Sequence, residues 1–146
     1  MNFNMTNEQY KEYTNKKSPD SHILKDCVLA FIIGGIICTI GQFINMFFAS
    51  SGFSKEISST LTSITLIFIG ALLTGLNVYD DIAKYGKAGT VIPITGFANS
   101  IVSSAMEFKS EGYVMGLGAK MFTIAGPVIV FGIVTSVICG IIYFFI

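Results

Sequence analysis

The sequence predicts an all-α integral membrane protein with three full transmembrane helices and a broken, re-entrant helical pair. A layout with four to five spans is the alternative. Three observations lead there. Hydrophobic residues make up 52% of the 146, with 15 glycines besides, and only 12% are charged. Soluble domains carry about twice that charge. All nine cations are lysine, the formal net charge is zero, and mean hydropathy is +0.69. Finally, four stretches hold no charge at all: 27–54, 57–79, 88–106 and 121–146. A helix needs about 20 apolar residues to cross the hydrocarbon core, and the first, second and fourth stretches supply them.

Residues 1–26 form a polar tail in which Lys11, Lys16, Lys17 and Lys25 balance Glu8, Glu12, Asp20 and Asp26. It contains no apolar stretch of the kind a signal peptide requires. Lysines massed before the first span favour a cytosolic N-terminus. The membrane domain then runs over 27–146. Its first span covers about 27–48, where Gly34, Gly35, Cys38 and Thr39 place small residues at helical spacing for close helix approach. Ser50-Ser51-Gly52 turns the chain. The second span covers about 58–79 and ends among Asp80, Asp81, Lys84 and Lys87. The last span covers about 127–146, with Gly132, Ser136 and Gly140 on one face.

Between Lys87 and Gly126 the pattern changes. A helix over about 93–107 starts at Pro93, a favoured first-turn residue. Thr95, Asn99, Ser103 and Glu107 then share one face at four-residue spacing. About 22 Å of helix is too short to cross. A second short helix over about 113–125 carries Lys120. Pro93, Gly96, Gly126 and Pro127 are the expected helix breaks. Short helices bounded by Gly and Pro around a charged turn mark discontinuous helices at transport sites. The polar face is therefore the candidate solute path: Thr95, Asn99, Ser103, Glu107 and Lys120. A marginal fourth span over 88–106, with Lys120 in a structural ion pair to Glu107 or Glu111, is the competing reading.

Enzyme chemistry is not expected. His22 is the one histidine, and Cys27, Cys38 and Cys139 lie in apolar segments without metal-ligand spacing. No cofactor and no fixed metal site are expected, and no basic stripe exists for nucleic acid.

The run Pro93-Ile94-Thr95-Gly96-Phe97-Ala98-Asn99-Ser100 continues through Glu107, Ser110-Glu111-Gly112, Gly118-Ala119-Lys120-Met121-Phe122, Ala125-Gly126 and Val130-Phe131-Gly132. It resembles the stage V sporulation protein A membrane subunits of the AC and AE types, and the polar tail matches the longer AC layout. One departure is visible: Gly86-Lys87-Ala88-Gly89 stands where a Gly-Ala-Gly run is expected. The resemblance implies movement of dipicolinic acid with calcium across the spore inner membrane, inward in sporulation and outward in germination. It implies as partners an AE-type membrane subunit and a soluble thiolase-like AD subunit, and a location in the forespore or spore inner membrane. Glu107 is then a transient calcium contact. A tension-gated pore of low selectivity and a non-conducting scaffold subunit are the alternatives.

Overall fold

The computed structural model describes residues 6–17 and 22–146, which are helical throughout apart from turns. Helix α1 (Asn7–Lys17) lies within the polar tail. Its start is a capping box: Gln9 N–H donates to Thr6 Oγ1 (3.4 Å), and Thr6 N–H donates back to Gln9 Oε1 (3.1 Å). The tail reading had no helix here, because the segment has no apolar face.

Helix α2 (Ile23–Ser50) is about 42 Å long, extending the expected span by four residues at its start and two at its end. Helix α3 (Lys55–Gly75) opens on Ser54, whose Oγ accepts from Ile57 N–H. It ends four residues before the expected Tyr79. The cause is Asn77 at φ +58°: Val78 N–H reaches back to Leu73 and Asn77 N–H to Thr74, closing a Schellman motif. Residues Tyr79–Gly86 then form α4, a short helix with Asp80, Asp81 and Lys84 exposed and Tyr79 buried.

Helices α2 and α3 run antiparallel, with Gly41 against Leu66 and Asn45 Nδ2 donating to Thr62 Oγ1 (3.3 Å). A single helical turn, α5 (Ala88–Val91), climbs along α2. A Cβ on Gly89 would collide with the Ala30 carbonyl, so only glycine admits this approach. The chain turns at Ile92-Pro93, level with Cys38 near the midpoint of α2 and with Leu66 of α3. Helix α6 (Ile94–Glu107) then descends beside α3 in the same direction, Thr95 against Gly70 and Asn99 against Thr74. Segment 88–107 therefore enters to mid-depth and returns to the face that carries α4. The re-entrant pair is α5 with α6, its tip at Pro93.

The chain passes through a 3-10 turn (Lys109–Glu111) and a π-helical turn (Tyr113–Gly118) into α7 (Ala119–Phe145). Two expectations are corrected here. The helix over 113–125 is not separate, and Gly126-Pro127 does not break it: Tyr113–Phe145 is one apolar rod of 33 residues. Proline removes one N–H donor, but Gly126 has no Cβ to clash with its ring, so the helix continues. Gly96 is likewise no break. It sits in the first turn of α6, packed on the Thr90 and Val91 carbonyls that close the hairpin.

Three helices are long and apolar enough to cross a membrane: Ile23–Ser50, Lys55–Gly75 and Tyr113–Phe145. Burial is inverted relative to a soluble domain. Ser58, Thr62, Thr74, Thr90 and Thr95 are buried, while Phe31, Phe68, Phe122 and Phe131 are exposed. Apolar side chains facing outward suit a hydrocarbon solvent, which leaves the hydrogen-bonding groups for the interior.

Candidate functional site

The re-entrant hairpin is held by side chains that meet just below its tip. Tyr79, at the start of α4, is 3% exposed. Its hydroxyl donates to the Thr90 carbonyl (2.8 Å) and pairs with the Thr95 hydroxyl (2.9 Å), linking α4, α5 and α6 through one oxygen. The Thr74 hydroxyl shares its proton between the Gly70 carbonyl (2.7 Å) and Asn99 Oδ1 (2.8 Å). Thr95 and Asn99, the upper half of the expected path, are thus engaged with α3 and α4.

The lower half lies toward the α4 face. Ser103 is half-buried and donates to the Ser100 carbonyl (3.2 Å). Glu107 is exposed at the end of α6 and forms no ion pair among the described residues. Lys120 Nζ sits 4.2 Å from the centre of the Phe108 ring, a cation–π contact. The pairing of Lys120 with Glu107 or Glu111 is therefore not formed: the aromatic face, not a carboxylate, meets the ammonium. On the same face Lys84 pairs with Asp81 at 2.7 Å, and that carboxylate holds the ammonium above its ordinary pKa.

Hollows lie on both sides of the hairpin tip. Below its tip, an apolar cavity of about 290 Å³ is walled by Ile33, Ile37, Leu66 and Leu73, with Tyr79 and Thr95 at its edge. Above the tip, a cleft of about 290 Å³ opens between the far halves of α2 and α3, lined by Gln42, Asn45, Ser59, Thr62 and Ser63 over Pro93 and Ile94. One residue before the lining Ser59, Ser58 Oγ is buried without a hydrogen-bond partner among the described residues. Among the described residues no group of three His, Cys, Asp or Glu side chains converges, and the three cysteines are free and exposed.

Tyr79, Thr74, Thr90 and the α2–α3 cleft lie outside the expected path. A signal for part of this exists: Ser58, Thr62, Gly70 and Thr74 fall on one four-residue stripe of α3, and all are buried. Tyr79 carries no such signal, because its placement depends on the Asn77 turn.

The SpoVAC/SpoVAEB sporulation membrane protein family matches residues 26–142. The chain is 46% identical over 143 residues to stage V sporulation protein AC of Bacillus subtilis (strain 168), covering 96% of this chain and 95% of that relative. No solved structure matches it.

Proposed function

The chain belongs to the SpoVAC/SpoVAEB sporulation membrane protein family, and from that premise we propose that it is a channel or transporter subunit carrying dipicolinic acid, with calcium, across the spore inner membrane. The observation that supports this most is the hairpin of residues 88–107, which puts hydroxyl and amide groups at mid-depth inside an otherwise apolar bundle. Such irregular backbone is tolerated at membrane depth only where it is buried in protein or lines water.

The path follows α6, from Thr95 and Asn99 through Ser103 to Glu107 and Lys120 at the α4 face. Neutral hydrogen-bonding groups replace part of a solute's hydration yet release it. Glu107 meets calcium, which prefers oxygen ligands, and Lys120 meets carboxylate. In the arrangement described above, Tyr79 and Thr74 occupy Thr95 and Asn99, which makes this the closed form. Opening exchanges those partners for solute and water.

One subunit encloses no continuous pore. From Pro127 onward α7 is exposed along its whole length, free for an AE-type membrane subunit, while the α4 face receives the thiolase-like AD subunit. In this reading the N-terminal tail, α4 and Glu107 face the cytosol, as the lysines before the first span favour. Spores carrying Asn99→Ala and Glu107→Ala at normal protein levels should accumulate and release less dipicolinate. Unchanged accumulation and release in both would refute the assignment.

A further inference from the structure

We propose that the cleft between the far halves of α2 and α3 is a binding site for an electroneutral complex of a divalent cation with a dicarboxylate, and is the station at which solute reaches the hairpin from the face opposite α4. The proposal rests on the conduit reading above and adds the half of the route that α6 does not reach.

The lining carries the chemistry. Among Ile37, Cys38, Gly41 and Leu66, the lining sets Gln42, Asn45, Ser59, Thr62 and Ser63, two amides and three hydroxyls with no charge, of which the Thr62 hydroxyl is already spent on Ser58 and Asn45. Gln42 lies in the far half of a membrane-length helix, two turns from its end, yet it is exposed and has no hydrogen-bond partner among the described residues. Hydrocarbon offers an amide no partner, so such a group faces water, solute or a polar group of a neighbouring subunit. Asn45 spends one N–H on Thr62, which leaves its carbonyl oxygen available. Ser63 donates to the Ser59 carbonyl and keeps its acceptor capacity. Ser58, one residue before Ser59, adds a buried hydroxyl with no partner among the described residues.

A cleft with no fixed charge discriminates by net charge. A bare dianion or bare divalent cation entering it leaves water without a counter-charge, which opposes its entry. A one-to-one complex of a dianion and a divalent cation carries none. Amide and hydroxyl oxygens then complete the coordination of a hard cation, and N–H and O–H donors meet the carboxylate oxygens. The floor of the cleft is Pro93-Ile94, so solute held there touches the hairpin tip directly.

The test uses the full chain within its native membrane complex. Ser63→Cys is introduced with Cys27, Cys38 and Cys139 replaced by serine, and labelled with a membrane-impermeant maleimide from the face opposite α4. Labelling is expected. Calcium dipicolinate at about ten times its dissociation constant should slow it about tenfold, whereas dipicolinate with chelator, or calcium chloride alone, should not. Absence of labelling, or equal protection by free dipicolinate, overturns the proposal. The exposed Gln42→Leu variant, chosen to leave folding intact, should lose the protection. A strain lacking the chain separates the two readings. Lost dipicolinate accumulation without protection overturns the cleft and leaves the conduit. Protection with accumulation intact overturns the conduit and leaves the cleft.

Discussion

Tyr79 carries more of the hairpin than any other single side chain. Its hydroxyl satisfies a backbone carbonyl and a threonine on either side of the Pro93 turn. Tyr79→Phe should lower stability in detergent by about 1 kcal/mol, the scale of a hydrogen bond between membrane helices, read as a fall in thermal midpoint. It should also raise solute leak through the assembled complex, because Thr95 loses its partner. Lys87 presents the opposite case. It holds φ 46° and ψ −129°, a conformation that suits glycine, while its carbonyl receives Thr90 N–H (3.2 Å) and Thr90 Oγ1 (2.9 Å). Both bonds survive in Lys87→Gly, and the strain, about 1–3 kcal/mol, does not. After the entropy cost of glycine in the unfolded chain, that variant should gain about 1 kcal/mol in the same measurement.

At the scale of elements, what separates hairpin from spans is how closely backbones approach. Gly89→Ala places a methyl against the Ala30 carbonyl and should cost about 3 kcal/mol, at the upper end for overpacking. Gly140→Ala meets nothing within 4 Å and should be neutral or gain up to about 1 kcal/mol from helix propensity. Comparing the two thermal midpoints checks whether α5 is seated against α2. The sequence carried the spans well, because length and freedom from charge report directly on a hydrocarbon solvent. It also placed α6 within a residue, since Pro93 and the four-residue polar stripe are local signals. The pairing of short helices was not local. From the Gly and Pro that bound two short helices, Glu107–Glu111 reads as the turn of the re-entrant pair, but the tip is Pro93, because Gly34 and Gly89 let α5 climb α2. Gly126-Pro127 reads as a break from composition, and the missing Cβ that lets the helix continue is a steric matter. For the candidate path, the stripe Thr95–Asn99 was legible. Its partners Thr74 and Tyr79 were not, because they arrive through the fold.

For the whole molecule, the hairpin settles which ends share a face. The start of α2, the helix α4 and the turn Lys109–Glu111 lie together, and Ser50–Ser54 lies opposite. A 33-residue apolar helix that departs from the first face carries its C-terminus to the second. In vesicles of one orientation, with the native cysteines replaced, Ser110→Cys and an N-terminal tag should react from the same side. Ser51→Cys and a C-terminal tag should react from the other. Labelling of Ser110→Cys together with Ser51→Cys would contradict the re-entrant fold.

The turn at Pro93 also has an electrical consequence. Where a cleft enters from one side and a chain segment returns from the middle, the insulating layer thins to about half, and the membrane voltage falls across that remainder. An ion crossing there feels the full difference, about 2.3 kcal/mol per charge for 100 mV, within a shorter distance and therefore a steeper field. Cargo without net charge feels none of it. On the proposed route, passage of such cargo is independent of the membrane potential.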